Sequence, residues 1–140
     1  MIKTTIYGNS LEGDGAIIKV AFASKDSEFV NEHFGWARQF FIYEVSERGF
    51  RLAEIIKHDE EDEDEEGKID RRIEGIKEAG ILYCQAIGPT AAAKVVRAKI
   101  HPIKVNEEKS IKEALEELTK MLAGNPPPWI KKILVQSQGE

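Results

Sequence analysis

Two strand-like runs, Gln39–Val45 (QFFIYEV) and Phe50–Lys57 (FRLAEIIK), are separated only by Ser46–Gly49. A link that short reverses the chain, so the two runs must lie side by side as an antiparallel hairpin. The preceding run Ala16–Ala23, AIIKVAFA, is apolar and rich in β-branched residues. That pattern predicts a buried strand, and it turns the hairpin into a three-strand antiparallel meander.

The chain then changes character. Ile69, Ile73 and Ile76 recur at helical spacing, and Gly80 stands where a glycine closes a helix. Ile81–Ile87 predicts a fourth strand, Gly88-Pro89-Thr90 opens a helix, and Pro102–Val105 predicts a short fifth strand. Ser110 and Glu113 have capping-box spacing ahead of a stripe of Ile111, Leu115, Leu118 and Leu122. Gly124 ends that helix, Pro126, Pro127 and Pro128 prevent its restart, and Trp129–Leu134 adds one further helical turn. Strands separated by helices need crossovers and therefore lie parallel. The fold class expected is α/β: a mixed five-stranded sheet, antiparallel meander plus parallel strands, flanked by helices in a ribonuclease H-like arrangement. Residues 1–15 read as an N-terminal extension broken by glycines, 16–124 as the α/β domain with an acidic loop at 58–67, and 125–140 as a Pro-rich tail.

The formal charge of −5 comes from one place: Asp59–Glu66 is eight consecutive acids, without which the balance is +3. Such a run repels itself and reads as a solvated loop. Basic residues do not interleave with aromatic ones, which disfavours nucleic acid as a partner. No apolar run approaches the roughly 20 residues that span a bilayer, and no long apolar stretch follows Lys3, so neither a membrane span nor a signal peptide is expected. A single cysteine excludes a disulfide framework and any all-cysteine zinc or iron–sulfur site within one chain. A reduced, cytoplasmic protein is the expectation.

Ligands of open α/β sheets bind beyond the carboxyl ends of the strands, near a switch in strand order. If the first and fourth strands are neighbours, two segments meet there. One is Gly88-Pro89-Thr90, whose helix N-terminus favours an anion and whose glycine permits close approach, although a Gly-Pro turn also serves as a plain connection. The other is the loop after Ala23 and Ser24, which carries Asn31-Glu32-His33-Phe34-Gly35-Trp36-Ala37-Arg38. His33 is a metal ligand or proton carrier by type. Phe34 and Trp36 offer dry walls around it, and Gly35 gives the backbone room to turn. The same residues also read as a histidine holding its own loop beside an aromatic cluster. Cys84, inside LYCQA, is either an iron-binding thiolate or a small buried hydrophobe. His101, at the start of the fifth strand, is expected to pack, and His58, beside the acids, to be solvated. The histidines and Cys84 have no zinc spacing.

Catalytic constellations are poorly represented. The first strand, IIKVAFA, has no carboxylate for two-metal nuclease chemistry. No phosphate loop and no GxGxxG motif occur, Ser24 and Ser27 lack a base, and a Cys84–His33 pair lacks a third member.

Four stretches together carry a resemblance: KVAFAS (Lys19–Ser24), NEHFGWARQF (Asn31–Phe40), ILYCQAIGPTAAAKVVRAKIHPIKV (Ile81–Val105) and GNPPPWIKKIL (Gly124–Leu134). The chain resembles the dinitrogenase iron–molybdenum cofactor-binding family, and within it the NifX-type carriers. The resemblance implies a non-catalytic carrier that binds an iron–sulfur precursor of the iron–molybdenum cofactor, or the finished cofactor. Such a carrier stores its cargo and passes it among nitrogenase cofactor assembly proteins. The family histidine of the HFG motif falls on His33. Around it, Ser24, Phe34, Gly35, Trp36, Arg38, Gly88 and Thr90 form the expected cofactor-binding set. His33 is the first expected metal ligand and Cys84, on chemical grounds, the second. Two other classes stay open: a ribonuclease H-like metal-dependent hydrolase, and an interaction module acting through the acidic loop and the Trp129 tail.

Overall fold

The computed structural model describes residues 2–6, 16–59, 64–106 and 108–138. The described residues form six strands and four helices, in the order β1 (Ile2–Thr5), β2 (Ile18–Ala23), β3 (Gln39–Ser46), β4 (Gly49–Lys57), α1 (Glu65–Gly75), β5 (Ile81–Cys84), α2 (Pro89–Arg97), β6 (His101–Lys104), α3 (Ile111–Ala123) and α4 (Pro128–Gln138). They build one mixed sheet in the order β1-β4-β3-β2-β5-β6. The meander is present, with Ile18 opposite Val45 and Phe40 opposite Ile56. β5 runs parallel to β2, with Val20 beside Ile81, and β6 runs parallel to β5. The direction of strand connection therefore switches between β2 and β5, where a ligand crevice is expected.

Alternation along the strands splits the core between the two faces. On β2, Ile18, Val20 and Phe22 join Ile111, Leu115, Leu118, Ile130 and Ile133 of α3 and α4. Ala21 and Ala23 face the other way, toward Ile69 and Ile76 of the α1 segment and Ala91 and Val95 of α2. This double burial is why AIIKVAFA reads as a continuous apolar run rather than an alternating one. Each large buried side chain contributes about 1.5–3 kcal/mol relative to exposure. Ser110 caps α3 in the expected reciprocal pair with Glu113.

Several expectations are corrected. The sheet has a sixth strand, β1, antiparallel to β4. All four of its residues are exposed, so it is recruited by backbone hydrogen bonds and the Lys3–Glu54 ion pair (3.0 Å) rather than by an apolar face. The remainder of the expected N-terminal extension, residue 1 and residues 7–15, lies outside the described residues. The hairpin turn is tighter than expected because Ser46 pairs with Gly49, and the left-handed backbone step falls on Gly49 at φ 146°. The tail is an eleven-residue helix, not one turn, with Ile130 and Ile133 in the core. Gly80 does not cap α1, which ends at Gly75 with Ile76 as its C-cap. It lies under α4, where an added Cβ would come within 2.8 Å of Ile133 Cγ2.

The acidic run is only partly a loop. Asp64 caps α1, its carboxylate accepting from the Gly67 N–H at 2.7 Å, and Glu65 and Glu66 fill the first turn, where the helix dipole favours them. Glu66 and Asp70 both meet Lys94 of α2, at 3.3 and 2.8 Å, which joins the two helices. Residues 60–63 lie outside the described residues. His58 is not solvated: it is 4% exposed, edge-on to Phe40 at 5.8 Å. No helix among the described residues is long and apolar enough to cross a membrane.

Candidate functional site

The loop after β2 is ordered by its own polar side chains. Ser24 Oγ accepts from the Asp26 and Ser27 amides, and the Asp26 carboxylate accepts from the Glu28 and Phe29 amides and from Asn31 Nδ2. The bonds from Phe29 and Glu28 hold the Asp26 carboxyl below its ordinary pKa. The loop then returns to the sheet beyond the end of β5. The Gln85 amide donates to Glu32 O at 2.9 Å and the Phe34 amide to Ala86 O at 2.8 Å, so His33 pairs with Ala86 as a parallel bridge. A short 3₁₀ turn, Phe34–Trp36, follows. Phe34 plugs the core and anchors this turn, while Trp36 is 72% exposed and stacks on the His33 imidazole with centroids 4.9 Å apart at 13°.

That pairing sets His33 beside the N-terminus of α2. Gly88 is the N-cap and supplies no side-chain capping bond, and Pro89 follows in the first turn. Capping is therefore left to whatever approaches the Thr90 and Ala91 amides. Between these elements lies a cavity of about 580 Å³, bordered by His33, Gly35 and Trp36, by Glu65, Lys68 and Ile69 of α1, and by Ala86–Ala91. Neither Gly35 nor Gly88 has a left-handed backbone, and a Cβ on either would meet nothing within 4 Å. Their smallness leaves space; it does not serve a turn, contrary to the role expected of Gly35.

Of the residues expected to bind cofactor, His33, Gly35, Trp36, Gly88 and Thr90 converge on this cavity. Four others are placed elsewhere. Phe34 is wholly buried in the core instead of walling the cavity. Ser24 is buried and spent on the turn it holds. Arg38 borders an adjoining cavity, which shares Gly35, Trp36 and Lys68 with this one. Cys84 is fully buried among Ala21, Leu82 and Ala91, and burial pushes its thiol up to about 11. His101 stacks on Trp129 at 4.6 Å, at the start of β6, away from the cavity, and burial there lowers its pKa.

α1 supplies residues that sequence reasoning missed: Glu65 and Ile69 border the cavity, and so does a lysine, with an arginine one turn further on holding the loop. Lys68 borders the cavity, and Arg72, 2% exposed, donates from Nε to Ala37 O at 2.8 Å and from Nη1 to Lys68 O at 3.1 Å. The signal was available: position 72 falls on the same helical face as Ile69, Ile73 and Ile76, and a cation on an apolar face needs acceptors there. Among the described residues, no cluster of three or more His, Cys, Asp or Glu side chains is placed to hold a metal ion.

Residues 16–121 match the family described as dinitrogenase iron–molybdenum cofactor, a span running from just before β2 through most of α3 and including both walls of the cavity. The chain belongs to that family. It is 40% identical over 124 residues to Protein NifX of Herbaspirillum seropedicae, covering 86% of this chain and 84% of that one. It is 38% identical over 128 residues to Protein NifX of Sinorhizobium fredii, covering 86% and 79%. Among solved structures, PH0822 superposes with a TM-score of 0.56 at 16% identity, covering 81% of this chain and 99% of that one, a likeness of fold. Membership in the dinitrogenase iron–molybdenum cofactor family bears out the resemblance carried by the KVAFAS, HFG-loop and Ile81–Val105 stretches.

Proposed function

We propose that this chain is a non-catalytic carrier for an iron–sulfur precursor of the iron–molybdenum cofactor, or for the cofactor itself, during its biosynthesis. One observation carries the reading: the imidazole of His33, the ammonium-bearing Lys68 and the N-terminus of α2 border one cavity of about 580 Å³ in a member of this family. Imidazole is a fitting iron ligand, and a cation with a helix N-terminus suits a negatively charged cluster. Trp36, stacked on His33, fixes the ring and supplies an apolar wall. Carriage requires release, and a site with one imidazole and no thiol on its wall holds its cargo by few covalent bonds. The donors and recipients are the nitrogenase cofactor assembly proteins, in the cytoplasm. We read the strand order β4-β3-β2-β5-β6 as ribonuclease H-like in arrangement. A hydrolase on that scaffold is not favoured, since β2 bears no carboxylate.

The test is anaerobic titration of the isolated precursor cluster into wild type and His33→Ala. His33 is exposed and its removal leaves the core intact. The variant should bind at least about tenfold more weakly, a difference of about 1.4 kcal/mol. Equal affinity would remove His33 from the site.

A further inference from the structure

The two edges of the sheet differ. β6 closes one of them. The amides of His101 and Val105 donate inward, to Gly80 O and Cys84 O, so the first outward-facing position is Pro102, which has no N–H to offer. β1 closes the other edge with neither a proline nor a bulge. The Ile6 amide donates inward to Ala53 O at 2.7 Å. Backbone groups alternate along an antiparallel strand, so Ile2 and Thr4 also face β4, while the N–H and C=O of Lys3 and Thr5 point away from the sheet. Among the described residues nothing pairs with them. Lys3 is the charge that could guard this edge, but it is drawn back to Glu54 of β4 at 3.0 Å. The side chains of Ile2, Thr4 and Ile6 share one face, where Ile2 is 59% and Ile6 43% exposed. Thr4 lies beside Ile55, which is itself only partly buried.

We propose that the outer edge of β1 pairs with β1 of a second copy of this chain, antiparallel about a twofold axis at Thr4. The segment Ile2–Ile6, IKTTI, is complementary to itself in that register. Thr4 meets Thr4, Ile2 meets Ile6 of the second copy, and Lys3 meets Thr5, so no like charges stand opposed. The outward N–H and C=O groups of Lys3 and Thr5 then bond to each other across the axis. The Ile2–Ile6 pairs fall at non-hydrogen-bonded positions, where facing side chains come closest, and cover each other from water. An axis at Lys3 instead would set ammonium against ammonium, which selects Thr4. No residue of β1 borders the cargo cavity, so the pairing does not depend on the carrier reading.

The test is sedimentation velocity on the full chain from about 5 μM to about 1 mM, since a small interface binds weakly. Wild type should pass from monomer toward dimer across that range. Thr5→Pro removes an outward donor and leaves the bonds between β1 and β4 in place, so it should weaken dimerisation by about tenfold or more. Thr5→Val keeps the donor and should dimerise as wild type does. Thr4→Lys and Thr4→Glu each bring like charges together at the axis and should be monomeric alone. Mixed in equal amounts, the two should form a dimer again. Native circular dichroism is checked for each variant. Wild type that stays monomeric throughout the range, or a dimer that neither the proline nor the charge variants alter, would overturn the pairing.

Discussion

The Nε of Arg72 donates to the carbonyl of Ala37 at 2.8 Å, and this buried bond ties α1 to the loop that carries His33 and Trp36. A side-chain donor that satisfies a buried carbonyl leaves that carbonyl unpaired when it is removed, at a cost of about 1–3 kcal/mol. Arg72→Met keeps most of the stem volume and should therefore destabilise the protein by that amount. Urea unfolding is the check: the midpoint should fall with an unchanged slope. The same variant should loosen the 3₁₀ turn, seen as faster amide exchange at Phe34, whose amide bonds to Ala86 O.

Gly88 separates stability from binding. Its backbone, φ −73° and ψ 160°, suits any residue, and a side chain there has open space. Aspartate is a good N-cap and should stabilise α2 over glycine by a few tenths of a kcal/mol. It also takes up the amides that face the cavity and adds a negative charge beside them. Gly88→Asp should thus unfold at a slightly higher temperature while binding an anionic cluster at least about tenfold more weakly. Scanning calorimetry and anaerobic titration on the same preparation test the pair; parallel losses in both would show that Gly88 serves the fold.

Cys84 should be silent. Burial raises its thiol from 9.0 to about 11, so at pH 8 about one molecule in a thousand carries the thiolate. Native protein should resist alkylation by iodoacetamide and react only on unfolding. Because the folded thiol titrates above the unfolded one, this group favours neither state below pH 9. It costs stability as the pH climbs from 9.0 toward about 11. Cys84→Ala should retain cluster affinity within about twofold, a change worth under 0.5 kcal/mol.

What the sequence conveyed followed from burial. β2 and β5 are apolar on both sides because helices cover both faces, so their runs were legible, as was the crossover that sets them parallel. β1 joins the sheet through its backbone with every side chain exposed, and no apolar pattern records that. α4 hid behind three prolines: Pro128 opens the helix, and the apolar contacts that extend it come from α3 and β2. The HFG loop stood out by composition. Its pairing partner Ala86 did not, because a backbone bridge leaves no mark on side-chain identity. Lys68 looks like an ordinary surface cation, and only the fold brings it to the cavity beside His33.

The contact between Gly80 and Ile133 gives the sharpest test of how α4 is seated. A Cβ at position 80 would lie 2.8 Å from Ile133 Cγ2, with Ile18 Cγ2 at 3.4 Å on the other side. Ile133 is branched at Cβ and buried, so its methyl cannot swing away without moving the helix. Gly80→Ala should cost about 1–3 kcal/mol by overpacking, although alanine is otherwise favoured over glycine. Ile133→Ala alone should cost about 2–5 kcal/mol by leaving a cavity. In the double variant the alanine at 80 has room, so the two losses should sum to less than their parts, with a coupling of at least about 1 kcal/mol. Simple additivity would mean that α4 does not rest on Gly80.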